Sequence, residues 1–484
     1  MSSREEIRAD RIAKRDRLEA AGMDPYPSTV NQTHTLSDIV HSFTDFQTSE
    51  AEVVVAGRVL SIRKHGGSAF VDLTDGTAEL QLFLSRQEIG AESFALFVET
   101  IDPGDFIEAT GTCFMTKREV SALNVAVWRI LTKSLQAVPS SHFGIKDEEE
   151  RYRKRYLDLI LDPELKELFK KKALFWDTAR SFMKEKGFLE VETPTLEVTT
   201  GGAEAQPFKT YHNDYDLDVY LRISVGELWQ KHLMAGGFPK TFEIGRVYRN
   251  EGTSPEHLQE FTNLEFYWAY ADYRDGMKLV QELYQTLAQN VFGTTVFEAR
   301  GHRFDLSDTW REIDYVEEIR QQTGVDVIKD DMQRFRDVLT ELGVAYTGDN
   351  RERLTDTLWK YCRKQIAGPA FLINHPKLVA PLAKTRPGTE TVEMFQPILA
   401  GSEVGRGYSE LNDPVDQRER FTIQQALLDA GDEEAMMPDW DFVEMLEYGI
   451  PPTCGYGFGE RLFSFLAGKP IRETQLFPLM KPKE

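Results

Sequence analysis

The chain has little cysteine, no long apolar run and a deficit of basic residues. Its three cysteines, Cys113, Cys362 and Cys454, are odd in number and far apart, which excludes a disulfide framework and a typical zinc site. No apolar run is long enough to span a bilayer, and the N-terminus lacks the apolar core of a signal peptide. We therefore expect a protein of the reducing cytoplasm that has no membrane partner.

The charge balance is strongly acidic. With 57 Lys and Arg against 79 Asp and Glu, the formal net charge is −22, which argues against non-specific coating of nucleic acid. A local basic face on an acidic body would still suffice to recognise one structured RNA. The length of 484 residues allows two or three domains.

Residues 242–273 form the segment with the most unusual pattern. Aromatic and β-branched residues alternate with polar ones in two arms joined by a short loop that carries Gly252 and Ser254, so we predict a long antiparallel hairpin. Charged residues recur along these arms, and a buried charge is costly unless it is paired or used. An arginine can hold a phosphate, and a phenylalanine can stack on a base. The segment therefore predicts a nucleotide site.

The rest of the chain divides by composition. Residues 1–50 predict an N-terminal helical extension, and residues 51–138 contain several short strands with glycine turns, a pattern that favours an OB-fold β-barrel. Residues 139–160 are predicted to be a linker because they combine Pro, Ser and an acidic run. Residues 161–484 would form a second domain, with a helical support region at about 275–380.

Three segments carry a resemblance to a known family. The string from Tyr248 to Gly252, continued by Glu260-Phe261-Thr262 and by Glu265 to Tyr273, resembles motif 2 of the class II aminoacyl-tRNA synthetases, and within them the lysyl-tRNA synthetases. The helix predicted from Leu165, with the strand that closes on Pro194, resembles motif 1. Cys454 to Leu462 resembles motif 3. The resemblance implies an α+β fold, with an OB-fold anticodon-binding barrel followed by a catalytic domain built on an antiparallel sheet flanked by helices.

The same resemblance implies partners and residue roles. It implies a homodimer formed through the motif 1 region, Mg²⁺ as cofactor, and ATP, L-lysine and tRNA(Lys) as substrates. Arg249 and Arg461 would be catalytic. The other roles that it implies are ATP binding by Arg249, Glu251, His257, Phe261, Glu403 and Arg461; lysine binding by Gly202, Glu227, Glu265, Tyr267, Arg406, Tyr408 and Glu410; metal binding by Glu403 and Glu410; and anticodon binding by Arg63, Phe70 and Gln81.

The chain departs from the family pattern at two positions near the nucleotide. Gln396 stands where the family usually has a metal-binding glutamate, and Arg406 stands where it usually has asparagine. One carboxylate is lost and one cation is gained at a site built around dications. Our hypothesis is that Arg406 partly replaces a divalent ion; the alternative is a changed amino-acid selectivity.

Two other functions remain open from the sequence. An aspartyl- or asparaginyl-type tRNA ligase shares this architecture, but its pocket should be cationic, and Glu227 and Glu265 argue against it. A non-catalytic RNA-binding paralogue is disfavoured because Arg249, Glu251 and Arg461 are intact.

Overall fold

The protein is described by a computed structural model that covers residues 3–139, 144–202, 205–252, 254, 257–346, 350–429 and 436–483. The chain forms two compact units, residues 1–146 and 147–484. Within the described residues, no helix is both long enough and apolar enough to cross a membrane.

The first unit is a closed five-stranded barrel with helices at its N-terminus and between its strands. Around the barrel the strand order is β1-β2-β3-β5-β4, with β3 and β5 parallel and the other pairs antiparallel. The elements are α1 (Arg4–Ala20), α2 (Leu36–His41), α3 (Phe43–Ser49), β1 (Glu52–His65), β2 (Ser68–Thr74), β3 (Glu79–Ser85), α4 (Arg86–Ile89), α5 (Ala91–Thr100), β4 (Phe106–Met115) and β5 (Ser121–Thr132). The predicted barrel is confirmed.

Strict alternation of buried and outward-facing residues defines the outer face of the barrel. In β2, Ala69, Val71 and Leu73 are buried in the barrel core, whereas Phe70 and Asp72 alternate with them and face outwards. This period of two is the physical signature of a strand with one buried face. The same alternation in β3 leaves the side chains that neighbour Phe70 and Asp72 on the outside.

The predicted linker at 139–160 differs from what the structure contains. Residues 140–143 lie outside the described residues, but residues 148–161 are helical and belong to the second unit. The acidic run gives the first of these helices its favourable N-terminal charge, so a segment that reads as a solvated linker forms helix instead.

The second unit is built on a nine-stranded mixed sheet of order β14-β15-β16-β18-β19-β11-β10-β6, with β17 paired to β16. Its first half contains α6 (Glu148–Arg153), α7 (Arg155–Leu161), α8 (Pro163–Glu185), β6 (Leu189–Glu190), β7 (Leu196–Glu197), β8 (Lys209–His212), β9 (Leu217–Leu221), α9 (Glu227–Ala235), β10 (Lys240–Tyr248), β11 (Glu260–Ala269) and α10 (Tyr273–Leu287). Its second half contains β12 (Val296–Ala299), β13 (His302–Asp305), β14 (Arg311–Asp314), α11 (Tyr315–Thr323), α12 (Met332–Glu341), α13 (Arg351–Cys362), β15 (Ala370–Ile373), β16 (Met394–Leu399), β17 (Ser402–Glu403), β18 (Arg406–Ser409), α14 (Pro414–Asp429), α15 (Trp440–Tyr448), β19 (Thr453–Gly459) and α16 (Arg461–Leu466).

The core of this unit lies between the sheet and the helices α8 and α10. Phe242 from β10 and Phe266 from β11 are completely buried against Phe175 of α8 and Tyr284 of α10. The opposite side of β11 is therefore left for polar side chains, and those line the site.

The region predicted as a helical support at about 275–380 is mixed. Helices α10 to α13 occupy much of it, but it also contains β12, β13, β14 and β15, and the last two extend the central sheet at one edge. Buried Ile313 and Leu372 carry these two strands into the core beneath α11 and α13. Each of these strands has only four residues, which is too few to show a period of two clearly, and this is why they were missed.

Candidate active site and nucleic-acid face

The predicted hairpin is present and forms the floor of the site. Strands β10 and β11 pair antiparallel from Lys240 opposite Trp268 to Tyr248 opposite Glu260, and β19 adds to the other side of β11. A cavity of about 430 Å³ opens beside β11. Every residue predicted for catalysis, ATP, lysine or metal lines it, namely Gly202, Glu227, Arg249, Glu251, His257, Phe261, Glu265, Tyr267, Glu403, Arg406, Tyr408, Glu410 and Arg461.

One end of the cavity is acidic. Glu227 begins α9, Glu265 lies within β11 and Glu410 directly follows β18, and each of the three is at least 95% buried. Three elements that are distant in sequence therefore bring three carboxylates to one place. We call this group, together with Lys231, Tyr267 and Tyr408, the amino-acid cage.

A lysine that the sequence prediction missed lies between two of these carboxylates. The Nζ atom of Lys231 is 2.9 Å from Glu227 Oε1 and 2.6 Å from Glu410 Oε2. Lys231 is fully buried, and the two carboxylates raise the pKa of its ammonium against the opposing effect of burial. Lys231 follows Glu227 by four residues on α9, a spacing that places two side chains on one helix face and that could have signalled the pair.

The third carboxylate is held by neutral donors. Glu265 Oε1 accepts hydrogen bonds from the backbone N–H of Val225 at 2.8 Å and from Asn263 Nδ2 at 3.1 Å, and Oε2 accepts one from the Tyr267 hydroxyl at 3.3 Å. Burial, with the neighbouring Glu227, raises the pKa of Glu265 to about 7. Burial likewise raises the pKa of Glu410 to about 8, in spite of Lys231. The single ammonium of Lys231 therefore does not balance the charge that the three carboxyl groups carry when they are ionised.

Two glycines make room for the cage. A side-chain carbon on Gly455 in β19 would collide with a Glu410 oxygen and with the Tyr267 ring. Gly202 has a φ of +88°, and a side chain there would meet Glu227 and Ser224. The backbone can approach the carboxylates only because both positions lack a Cβ.

The other end of the cavity is cationic. The Arg249 guanidinium donates hydrogen bonds to the Ile223 carbonyl oxygen at 3.2 and 3.3 Å and lies 5.4 Å from the centre of the Phe261 ring. Arg461 is the first residue of α16 and is partly buried in the same cavity. Burial lowers the pKa of both arginines, but a guanidinium remains charged at neutral pH. Two fixed cations therefore face the space beside an aromatic ring.

The loop between β10 and β11 is described only in part, because residues 253, 255 and 256 lie outside the described residues. His257 Nδ1 is hydrogen-bonded with Ser254 Oγ at 2.8 Å. Burial, followed by the charge of Arg461, lowers the pKa of His257, so its imidazole is neutral at pH 7. Glu251 is exposed at the mouth of the cavity.

The two predicted metal ligands have different surroundings. Glu403 is ion-paired with Arg363 at 3.3 Å and accepts a hydrogen bond from the Trp359 indole N–H, whereas Glu410 is occupied by Lys231. Gln396, at the position of the usual glutamate, is hydrogen-bonded to buried His375 at 2.7 Å. In the described part of the chain, no three His, Cys, Asp or Glu side chains form a cluster able to hold a metal.

Arg406 extends the cationic end of the cavity. It is exposed at the start of β18 and forms no hydrogen bond or ion pair among the residues that the structure describes. Its charge contributes to the lowered pKa of Arg249. An uncommitted guanidinium is thus available to an anionic ligand.

The predicted anticodon residues share the outer face of the barrel. Arg63 lies opposite Phe70 in the β1–β2 pair, and Phe70 lies opposite Phe83 in the β2–β3 pair, with ring centres 5.0 Å apart. Asp72, which the sequence prediction missed, accepts hydrogen bonds from Arg63 at 2.8 and 3.0 Å and from Gln81 at 3.2 Å. Aromatic rings beside paired polar groups are what base stacking requires.

Comparison with known families identifies both units. A model described as tRNA synthetases class II (D, K and N) matches residues 147–481. A model described as OB-fold nucleic acid binding domain matches residues 53–131. The predicted order of a barrel followed by a class II catalytic domain is confirmed.

Curated relatives cover the whole chain. The lysine–tRNA ligase of Roseiflexus sp. (strain RS-1) is 42% identical over 486 residues, which are 99% of this chain and 99% of that protein. Those of Thermotoga maritima and Moorella thermoacetica are each 40% identical, over 99% and 100% of this chain and 97% and 99% of their own lengths. The chain therefore belongs to the class II tRNA synthetases and, within them, to the lysine–tRNA ligase family.

Proposed function

We propose that this protein activates L-lysine with ATP and transfers the lysyl group to the 3′ end of tRNA(Lys). The observation that carries the proposal is a single cavity with a cage of three buried carboxylates at one end and Arg249 and Arg461 at the other. The acidic end suits a side-chain ammonium, and the cationic end suits a carboxylate beside phosphates. Membership of the lysine–tRNA ligase family supports it.

The first step joins lysine to the nucleotide. A carboxylate oxygen of lysine attacks the α-phosphorus of ATP, a new oxygen–phosphorus bond forms, and the bond to pyrophosphate breaks in line. Arg249 and Arg461 offset the negative charge that moves onto the phosphates, while Phe261 stacks on the adenine, Glu251 and His257 seat the nucleotide, and Gly202 approaches the α-amino group. The carboxylate is already ionised, so the step requires no general base.

The second step releases AMP. The terminal ribose hydroxyl of the tRNA attacks the carbonyl carbon of lysyl-adenylate, and the bond between that carbon and the phosphate oxygen breaks. AMP leaves with the electron pair, and its phosphate takes up the hydroxyl proton. The cage residues hold the lysine side chain in place through both steps, which converts them into reactions between positioned groups.

Mg²⁺ would enter with the nucleotide. Mg²⁺ commonly keeps several waters and binds through one or two carboxylates plus substrate phosphates, so the lack of an all-protein cluster is compatible with it. Glu403 is the carboxylate that we propose for this contact, and we assign Glu410 to the cage because Lys231 occupies it. When bound, the ion would neutralise phosphate charge.

Three further features complete the proposal. The outer face with Arg63, Phe70 and Gln81 would bind the anticodon. The motif 1 region would form a two-fold dimer interface, which is supported by exposed apolar side chains on or near α8, β6 and β7, namely Leu174, Leu189, Leu196 and Val198. We place the enzyme in the cytoplasm, where its three buried cysteines would stay reduced.

The acidic cage also weighs against the alternatives. An aspartyl- or asparaginyl-type enzyme would have to bury a carboxylate or amide beside Glu265 and Glu410, and the carboxylate would meet like charges. A non-catalytic RNA-binding protein would have no need of two partly buried arginines that line one cavity.

The test is amino-acid-dependent exchange of pyrophosphate into ATP, run separately with all twenty amino acids. We expect exchange with lysine at least 100-fold faster than with any other amino acid, because an uncharged side chain would leave the carboxylates unpaired. Exchange with aspartate or asparagine, or with none of the twenty, would contradict the proposal. Charging of tRNA(Lys) transcript then tests the second step.

A further inference from the structure

The cage contains a cation of its own. Lys231 is 99% buried, and its ammonium lies within ion-pair distance of Glu227 and Glu410 but of no third carboxylate in the described chain. The centres of the Tyr267, Tyr408 and Phe442 rings lie 5.9, 5.6 and 5.6 Å from Nζ. Two carboxylates and three aromatic rings therefore lie around the ammonium in place of water, and both kinds of group favour a cation.

This cation sets the net charge of the cage. Once all three carboxyl groups are ionised, their charges and that of the one internal ammonium leave two negative charges in the cage. Free L-lysine carries two ammonium groups and one carboxylate, and Arg249 is available for the carboxylate. The charge that remains after Lys231 therefore equals the charge that the two substrate ammonium groups bring.

Lys231 also sets positions. Glu227 and Lys231 lie on the same helix, whereas Glu410 reaches the site from the end of β18. Without a cation between them, two buried carboxylates from different elements would repel each other. The Tyr408 hydroxyl, from β18, donates a further hydrogen bond to Glu227. The helix and the strand segment are therefore joined both by Lys231, which bridges Glu227 and Glu410, and by this hydrogen bond.

We propose that Lys231 is a positioning residue for amino-acid selectivity. Its ammonium holds the Glu227 and Glu410 carboxylates at a fixed separation and takes up one of the three negative charges, which leaves Glu265 and the outer faces of the other two for the substrate. This inference rests on the proposed function, since it gives Lys231 a role in the recognition of the lysine substrate, through the two glutamates that it holds.

The main experiment removes the charge and keeps the length of the side chain. We compare K231M with the wild type in lysine-dependent ATP–pyrophosphate exchange, measuring KM for lysine, KM for ATP and kcat. The matched control is K133M, which removes a buried lysine that also lies between two carboxylates but belongs to the barrel unit.

We expect K231M to raise KM for lysine at least tenfold, with kcat within threefold and KM for ATP unchanged, and K133M to leave all three constants unchanged. A K231M enzyme whose KM for lysine is unchanged overturns the assignment. A lower KM also overturns it, since Lys231 would then be a competitor for the substrate ammonium.

A second measurement remains informative if K231M folds poorly. K231A leaves space that a small amine can enter, and we expect 50 mM propylammonium to recover at least a fifth of the lost kcat/KM for lysine, whereas equal 1-propanol recovers none. The wild type in the same solutions corrects for inhibition. Equal recovery with both additives, or with neither, overturns the assignment. A wild type without lysine-dependent exchange contradicts the proposed function instead.

Discussion

Each unit of this protein buries one lysine between two carboxylates, and the two groups differ in how completely the charges are met. In the barrel unit, Lys133 Nζ lies 2.6 Å from Asp102 and 2.7 Å from Asp105, and Lys14 also pairs with Asp102 at 2.8 Å. Asp105 accepts further hydrogen bonds from backbone N–H groups and from a serine hydroxyl. In the catalytic unit, one lysine serves a cage of three glutamates.

The pKa of Asp102 in the barrel unit and the pKa values of Glu265 and Glu410 in the cage move in opposite directions. Burial works to raise the pKa of Asp102, but hydrogen bonds from Lys133 and Lys14 outweigh it and the pKa is lowered. Burial prevails at Glu265 and Glu410, whose pKa values rise to about 7 and about 8. A carboxylate that is fully paired contributes to stability, and one that is short of positive charge is ready for a ligand.

The largest expected effect comes from removing the carboxylate that has no internal cation. E265Q keeps the shape of the side chain but leaves a substrate ammonium with a neutral partner. Because breaking a buried charge pair costs about 3–5 kcal/mol, we expect kcat/KM for lysine in the exchange reaction to fall about 150- to 5,000-fold. D105N, the matched change in the barrel unit, should leave that constant unaltered, and an equal loss in both variants would contradict the distinction.

In the barrel unit, by contrast, removal of the buried lysine should lower the stability of the fold. K133M strands Asp105 without its cation, and we expect the free energy of unfolding of the barrel unit to fall by about 3–5 kcal/mol. Urea unfolding of the full chain, followed by hydrogen exchange at the backbone amides of the barrel strands, measures it. A stability equal to that of the wild type would show that the Lys133 group is not a structural pair.

A third substitution tests the outer face of the barrel independently of the cavity. F70A removes the ring that we propose as a stacking platform, and stacking on one aromatic ring contributes about 1–3 kcal/mol per base. We expect KM for tRNA(Lys) in aminoacylation to rise about 5- to 100-fold, with pyrophosphate exchange unchanged. The exposed neighbour V127A, on strand β5, is the control.

The pH dependence sharpens the contrast further. Lysine binds best to ionised carboxylates, and the raised pKa values of Glu265 and Glu410 mean that the empty cage takes up protons as the pH falls below about 8. We expect KM for lysine to fall at least tenfold between pH 6 and pH 8, since the ionised fraction of Glu265 alone, with a pKa of about 7, rises about tenfold over that range. KM for ATP serves as the internal reference.

The same pKa values give a signed prediction for stability. A carboxyl group whose pKa is raised by folding stabilises the protein below its unfolded pKa, and that contribution is lost as the pH rises through about 7 to 8. The thermal midpoint of the ligand-free enzyme should therefore drop from pH 6 to pH 8.5, and saturating lysine should reduce the drop. A midpoint that rises over this range would contradict the pKa direction.

The smallest expected effect concerns Arg406. If its guanidinium partly replaces a divalent ion, R406N should need a several-fold higher Mg²⁺ concentration for half-maximal exchange, and the double variant Q396E/R406N should return toward the wild-type requirement. An unchanged Mg²⁺ requirement, together with a changed preference among amino acids, would favour the alternative in which Arg406 alters selectivity.

Much of the framework was accessible from sequence because it depends on local pattern. The alternation in residues 242–273 predicted the hairpin, and the glycine-punctuated short strands predicted the barrel. The resemblance to the family supplied the residues that the structure brings to one cavity, since no periodicity says that Glu227, Glu265 and Glu410 meet. The strands β14 and β15 were missed because their burial is decided by helices packed over them.

The pairings inside the cavity could not be predicted, because they depend on contacts between distant segments. Glu227 and Lys231 at helical spacing are typical of a solvated helix face, and Lys231 is buried because rings from three other elements, those of Tyr267, Tyr408 and Phe442, lie around it. Glu403 was expected to contact ATP and metal, yet Trp359 and Arg363, about forty residues earlier in the chain, also reach it.

The helix α9 has one consequence for how such a site can change through evolution. Glu227 and Lys231 are separated by one helical turn, so the geometry of their pair is inherited with nine consecutive residues. Tyr408 and Glu410, which complete the enclosure, lie on a separate short segment. Mutations in that segment alone could shift preference towards amines of other lengths while the helical half stays constant, which makes residues 406–410 the natural place to begin redesign.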